Sequence, residues 1–177
     1  ARSITYQIGQ ALKYLHCHNI IHRDIKLENI MLTSHKPATC EAKLADFGLA
    51  ETVKDPESRS GSSKSGTAGY LAPEVLEGRT PGPPSDVWSL GCLLYAMLTV
   101  IYRSLVKSSN NTTAEALAVE EKEQQVNYDE SDLEPVEVTG LAGSLCKDLL
   151  ARMLERRPEQ RLTIEEVLQH EFFSELL

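Results

Sequence analysis

A charged loop held between two very short apolar runs constrains this chain most. Ile20-Ile21 and Ile30-Met31-Leu32 flank a polar stretch containing His22-Arg23-Asp24, Lys26 and Asn29, as two small strands around a loop would. Lys36-Pro37 turns the chain, and 42–45 is another short strand leading directly into Asp46-Phe47-Gly48. Ahead of the loop, Ile4, Ile8, Ala11, Leu12 and Leu15 fall at helical spacing over 3–16, one apolar face of an amphipathic helix. Asn19 suits the left-handed position that ends such a helix. The charged triplets therefore sit on loops between short strands, where a rigid scaffold can aim them.

From Thr52 to Gly69 periodicity is lost. Ser58, Ser60, Ser62, Ser63 and Ser65 alternate with Gly61, Gly66, Arg59 and Lys64, the composition of a mobile surface loop. Pro81-Gly82-Pro83-Pro84 ends a short segment, and Ser85 or Asp86 is expected to cap the hydrophobic helix that follows. The uncharged run from Val87 to Tyr102 falls short of the roughly 18 to 20 apolar residues that a membrane span needs. It contains Ser89 and Gly91 and follows Asp86, so a buried core helix is expected. Residues 103–138 form a polar, acidic insertion in which Ala114 to Val119 could make a helical turn or two. A last helical pair covers 141–154 and 163–168, with Thr163 as cap and Glu166 at the third helical position. The expected fold is mainly α with a few short β-strands, one domain over 1–177. A length of 177 residues with 41% hydrophobic content is enough to bury one core.

The net charge of -8 argues against nucleic acid or an anionic membrane as the main partner. Most of it resides in Glu115, Glu120, Glu121, Glu123, Asp129, Glu130, Asp132 and Glu134, opposed within that stretch by Lys122 alone. Cys17, Cys40, Cys92 and Cys146 are scattered without metal-ligand spacing. They fit a reducing cytoplasmic or nuclear setting, as small buried hydrophobes. No signal peptide or lipidation motif stands at the amino end, so the two overlapping sequons at Asn110 and Asn111 are read as chance matches. His16, Cys17, His18 and His22 invite a zinc site, but residues 16, 17 and 18 are adjacent and cannot all face one ion from a helix.

Taken in order, His22-Arg23-Asp24 with Lys26 and Asn29, then Asp46-Phe47-Gly48, then Ala72-Pro73-Glu74 resemble the catalytic half of a eukaryotic protein kinase. The resemblance covers nearly the whole chain, through the His170-Glu171-Phe172-Phe173 ending. It implies a catalytic loop at 22–29, an activation segment at 46–74 and a protein-kinase-like C-terminal lobe. Lys26 favours the serine/threonine type, since tyrosine kinases usually carry an Arg-containing, Ala-rich variant of this loop. The general style is that of calcium/calmodulin-regulated or cyclic-nucleotide-dependent kinases.

The resemblance also implies roles. Asp24 would accept the proton of the substrate hydroxyl, and Lys26 would reach the transferring phosphate. Asn29 and Asp46 would hold Mg2+, and Met31 would form the apolar floor beneath the adenine of ATP. Thr67 would bond Asp24 and Lys26. His22 and Phe47, the latter followed by the motif's Gly48, would stack in the spine that aligns two lobes. Asp86 would anchor the catalytic loop, and Glu74 with Arg161 would tie the activation segment to the final helices. Arg23 marks relatives switched by loop phosphorylation, with Ser58, Ser60, Ser62, Ser63 and Ser65 as candidate sites. Two departures stand out: Glu51 replaces the basic residue that often helps to hold that phosphate, and the acidic insertion replaces a short aromatic-containing link. Glu28 occupies a position that meets substrate arginines in some relatives.

No Gly-rich loop, strand lysine or partner glutamate precedes the catalytic loop, and the chain opens at Ala1. Those elements belong to the small N-terminal lobe, whose expected place is in a longer parent chain. The function expected is phosphoryl transfer from ATP to Ser/Thr of a protein or peptide substrate. The alternative is a truncated, catalytically inactive lobe that acts as a protein-interaction or regulatory module.

Overall fold

The computed structural model describes residues 1–34, 36, 39–53, 65–109 and 141–176. Helix α1 (Arg2–Cys17) buries Thr5, Ile8, Gly9, Leu12 and Leu15, the face that its apolar spacing selects. Asn19 follows in the left-handed region (φ 57°) and donates its N–H to His16 O at 3.0 Å. Asn tolerates that conformation better than most residues. Strand β1 (Ile20–Ile21) comes next, then a 3-10 turn (Leu27–Asn29), β2 (Ile30–Leu32) and β3 (Ala42–Leu44). β2 and β3 pair antiparallel, with Met31 opposite Lys43.

A fourth strand, β4 (Glu51–Thr52), pairs antiparallel with β1. This corrects the expectation that pattern is lost from Thr52 onward: two residues are too few to show a period, and the partner strand supplies the order. The Lys36-Pro37 turn lies partly outside the described residues. Ser58, Ser60, Ser62 and Ser63 lie outside them as well, as do Ala114 to Val119 and the acidic insertion from 110 onward.

After the short α2 (Pro73–Leu76), helix α3 runs from Pro83 to Ser109. The expected cap at Ser85 or Asp86 gives way to a start at Pro83, because proline at the first helical position sacrifices only an N–H that has no intrahelical acceptor. Ser85 instead closes the turn from inside, exchanging hydrogen bonds with Gly82 N and O. α3 also takes in residues 103–109, which the sequence pattern assigned to the insertion.

Helix α4 (Leu141–Met153), helix α5 (Ile164–Gln169) and a closing 3-10 helix (Glu171–Leu176) complete the order. Thr163 and Glu166 form the expected capping box. Leu90, Leu93 and Leu94 of α3 meet Leu149, Leu150 and Met153 of α4, with Ile164, Val167 and Phe173 sealing one core. Gly91 permits the close α3–α4 approach: a Cβ there would lie 2.9 Å from Leu154 Cδ2 and 3.1 Å from Met153 Cβ. Cys92 and Cys146 are buried as expected, and burial pushes the Cys146 thiol up to about 11. Cys17 is exposed and Cys40 half-buried, so those two are not core hydrophobes. Among the described residues no helix is long and apolar enough to cross a membrane.

Candidate active site

The loop after β1 is held from below by Asp86, which is 1% exposed in the first turn of α3. Its Oδ2 accepts the His22 N–H and its Oδ1 the Arg23 N–H, both at 2.9 Å. Arg23 needs that clamp, because its φ of 70° is left-handed and costs a non-glycine residue about 1–3 kcal/mol. His16, from α1, adds a third contact: its Nε2 lies 2.9 Å from Asp86 Oδ2. His22 is fully buried. Its Nδ1 accepts from Asp24 N at 3.3 Å, leaving Nε2 to donate to Ala45 O at 3.2 Å. The Phe47 ring stands edge-on to His22 at 5.0 Å while remaining half exposed.

Asp24 lies at the centre of a connected polar cluster. Lys26 Nζ is 2.8 Å from Asp24 Oδ2 and also donates to Thr67 Oγ1 at 2.8 Å. Thr67 Oγ1 in turn donates to Asp24 Oδ1 at 2.7 Å. Asn29 Nδ2 donates to the Asp24 carbonyl at 2.7 Å and to its Oδ2 at 3.1 Å. Burial alone would raise the Asp24 carboxyl. Hydrogen bonds from Lys26, Thr67 and Asn29, with the Lys26 charge, outweigh it and hold the group below the usual carboxylate range. The Lys26 ammonium is correspondingly raised, first by its hydrogen bond to Asp24 and further by the charges of Asp24, Glu28 and Asp46.

Asp46 reaches this neighbourhood through the sheet. The Ala45 N–H donates to Asn29 O at 2.9 Å, extending the β2–β3 ladder and setting residue 46 beside the loop. Asp46 is exposed, has φ 59°, and accepts the Gly48 N–H on Oδ1 at 3.1 Å. With its amide nitrogen committed to Asp24, Asn29 has Oδ1 left as a metal-ligating oxygen. Asn29 and Asp46 thus offer hard oxygen donors suited to Mg2+. Among the described residues no group of three or more His, Cys, Asp or Glu could hold a metal, so a cation here would need further oxygens from its phosphate ligand. Met31 and its neighbour Leu32 are exposed.

Arg23 donates through Nη1 to Glu51 Oε2 at 2.6 Å and through Nη2 to Ser65 Oγ at 2.9 Å. Glu51, the departure noted in the sequence, is therefore in direct contact with the arginine expected to receive a phosphate. Further along the segment, Glu74 and Arg161 form a two-pronged ion pair at 2.8 and 2.9 Å, with side-chain exposures of 5% and 0%. The sequence reading missed His16 as a contributor. Its signal was available, since it lies four residues after Leu12 on the buried face of α1. Ring orientation tells against the zinc grouping too, as His16 faces Asp86 while His18 Nδ1 bonds Tyr14 O at 2.7 Å.

Residues 1–173 match the model of the protein kinase domain. The chain belongs to the protein kinase family. Among its relatives are proteins named serine/threonine-protein kinase PLK4. That of Drosophila ananassae is 36% identical over 177 residues, covering 100% of this chain and 20% of the relative. That of Drosophila virilis is 34% identical over 175 residues (97% and 20%), and that of Drosophila melanogaster 37% over 172 residues (97% and 20%). The kinase chain thus spans about a fifth of the length of the curated relatives it matches. The name they carry differs from the calcium/calmodulin-regulated or cyclic-nucleotide-dependent style that the family resemblance implied.

Proposed function

We propose that this chain is the large C-terminal lobe of a serine/threonine protein kinase, whose whole protein transfers the γ-phosphate of ATP to Ser/Thr hydroxyls of protein substrates. The observation that carries this reading is the closed set of hydrogen bonds joining Asp24, Lys26, Asn29 and Thr67. An unprotonated, fixed carboxylate suits a group that accepts a hydroxyl proton, a role worth about 10² to 10⁴ in rate. Asn29 holds Asp24 through two bonds, one to its main-chain carbonyl and one to its carboxylate. Lys26 keeps a positive charge within 3 Å of that carboxylate, where charge on a transferring phosphoryl group would develop. Thr67 bonds both Asp24 and Lys26 and so links them to the activation segment.

Asn29 and Asp46 would hold Mg2+, which supplies charge neutralisation of the phosphates when bound. Met31 would meet the adenine, and exposed Leu32, Phe47 and Leu49 would rest against a small lobe. That lobe would bring the Gly-rich loop and the lysine–glutamate pair, and the parent chain is its expected source. Exposed Glu28, close enough to Lys26 for its charge to matter, would favour basic residues in the substrate.

The test is to isolate the endogenous protein with an antibody to this chain. A mass well above 19.6 kDa, with Mg-ATP-dependent phosphorylation of Ser/Thr but not Tyr peptides, is expected. A 19.6 kDa protein without phosphate transfer would refute the enzyme reading and favour the interaction module.

A further inference from the structure

Arg23, the residue before Asp24, joins two distant parts of the chain. Its Nη1 donates to Glu51 Oε2 at 2.6 Å and its Nη2 to Ser65 Oγ at 2.9 Å. The Arg23 side chain is 10% exposed and that of Glu51 55%. A guanidinium so enclosed is costly until an anion faces it. A basic side chain at position 51 would oppose Arg23 and leave room for an outside anion; the Glu51 carboxylate fills that role from within the chain. Glu51 is delivered by the sheet. β4 pairs with β1 so that Glu51 lies opposite Ile21, two residues before Arg23, and the Val53 N–H extends the ladder to Asn19 O at 2.6 Å. At the other end of the guanidinium, Ser65 opens the return to the site. Gly66 follows with φ 137°, and a Cβ there would lie 3.1 Å from Arg23 O and 2.6 Å from Leu71 Cδ2, so the chain passes tightly against the catalytic loop. Thr67 comes next, donating to Asp24 Oδ1 and accepting from Lys26 Nζ. The path from Glu51 through Arg23 and Ser65 thus ends at the hydroxyl that touches the catalytic carboxylate.

We propose that Glu51 is a positioning residue that stands in for a phosphate on the activation segment: it neutralises Arg23, leaves the other arm of the guanidinium to hold Ser65, and so seats Thr67 on Asp24 without phosphorylation of the segment. This rests on the kinase reading above. A phosphoserine, with a charge of about -1.5 to -2, would have to displace Glu51 from Arg23 or bear its like charge. Glu51 acts on the reacting geometry through Arg23 and Thr67, so its loss falls on kcat more than on KM.

The experiment treats the full-length protein with a serine/threonine phosphatase until mass spectrometry finds no phosphate on residues 52–67. Initial rates are then read with Mg-ATP and a Ser-containing peptide. Treated wild type is expected to keep kcat within about twofold of the untreated protein. Treated Glu51→Gln should lose about fivefold in kcat with KM within about twofold, the scale of one charge-assisted bond weakened by the exposure of Glu51. Treated Glu51→Lys should lose more, about twentyfold, because a second cation then faces Arg23. Exchange of the Tyr70 amide, which bonds Thr67 O at 3.1 Å within the seated segment, should accelerate about fivefold in Glu51→Gln. A loss of more than about twofold on treating wild type would overturn the proposal. So would wild-type kcat in both variants, and so would equal impairment by glutamine and lysine, which would show that charge at position 51 is immaterial. Should lysine prevent folding, Glu51→Gln alone decides. Absence of any transfer by untreated wild type would instead refute the kinase reading, while Tyr70 exchange in Glu51→Gln would still test whether Glu51 seats the segment.

Discussion

Replacing Glu74 by glutamine should destabilise the protein by about 3 kcal/mol, an amount set by what Arg161 retains. Both side chains are sealed from water, so the change strands a guanidinium that cannot recover hydration. Removing one member of a buried pair costs about 3–5 kcal/mol. Arg161 keeps hydrogen bonds to Pro84 O at 2.7 Å and Glu155 O at 2.8 Å, and lies 5.1 Å above the Trp88 ring. Those contacts place Glu74→Gln at the lower end. Arg161→Met removes the donor to both Glu74 oxygens and should reach about 5 kcal/mol. Either loss is a large fraction of a total stability of about 5–15 kcal/mol.

Combining Glu74→Gln with Arg161→Met should cost far less than the sum, because no charge is then left buried. Urea unfolding reads all three variants as shifts in midpoint at constant slope. A Glu74→Gln variant within about 1 kcal/mol of wild type, or a double variant equal to the sum of the singles, would refute the reasoning.

Thr67→Val removes one of the bonds that hold the Asp24 carboxyl low, so its pKa rises; the acid limb of the kcat/KM profile should move to higher pH, and an unmoved limb would contradict that assignment. Alanine at Ser58, Ser60, Ser62, Ser63 and Ser65 together should lower activity severalfold if loop phosphorylation acts through Arg23. Unchanged activity would mean that the Arg23–Glu51 pair suffices without phosphate. Gly91→Ala gains about 1 kcal/mol of helix propensity but forces a Cβ to within 3.1 Å of Met153 Cβ. Overpacking of about 1–3 kcal/mol should win, lowering Tm by a few degrees; a raised Tm would show that α3 and α4 can separate freely.

What the sequence made legible was local. The α1 face, strands β1 to β3 and the Thr163–Glu166 box are set by residues within a few positions of one another, and pattern carries them. Asn19 shows the same, since its left-handed backbone is a property of its own side chain. β4 was hidden because Glu51-Thr52 has no strand character of its own and is ordered by Ile20-Ile21. The start of α3 was displaced because Ser85 and Asp86 are both good caps. Asp86 is instead drawn off to backbone donors more than sixty residues earlier. His16 was read with its neighbours in sequence, whereas its partner is 70 residues away. The mutual contacts of Asp24, Lys26, Asn29 and Thr67 came from a family pattern, and spacing alone would not have brought Thr67 to Asp24.

The most direct test of the central claim is the transfer rate of the whole protein with Asp24 against Asp24→Asn. The assay would use Mg-ATP and a Ser-containing peptide with basic flanking residues. The account predicts a fall in kcat of about 10² to 10⁴ with KM for ATP nearly unchanged, because the change removes proton acceptance and leaves the oxygens of Asn29 and Asp46 in place. Transfer by Asp24→Asn at the wild-type rate would contradict it.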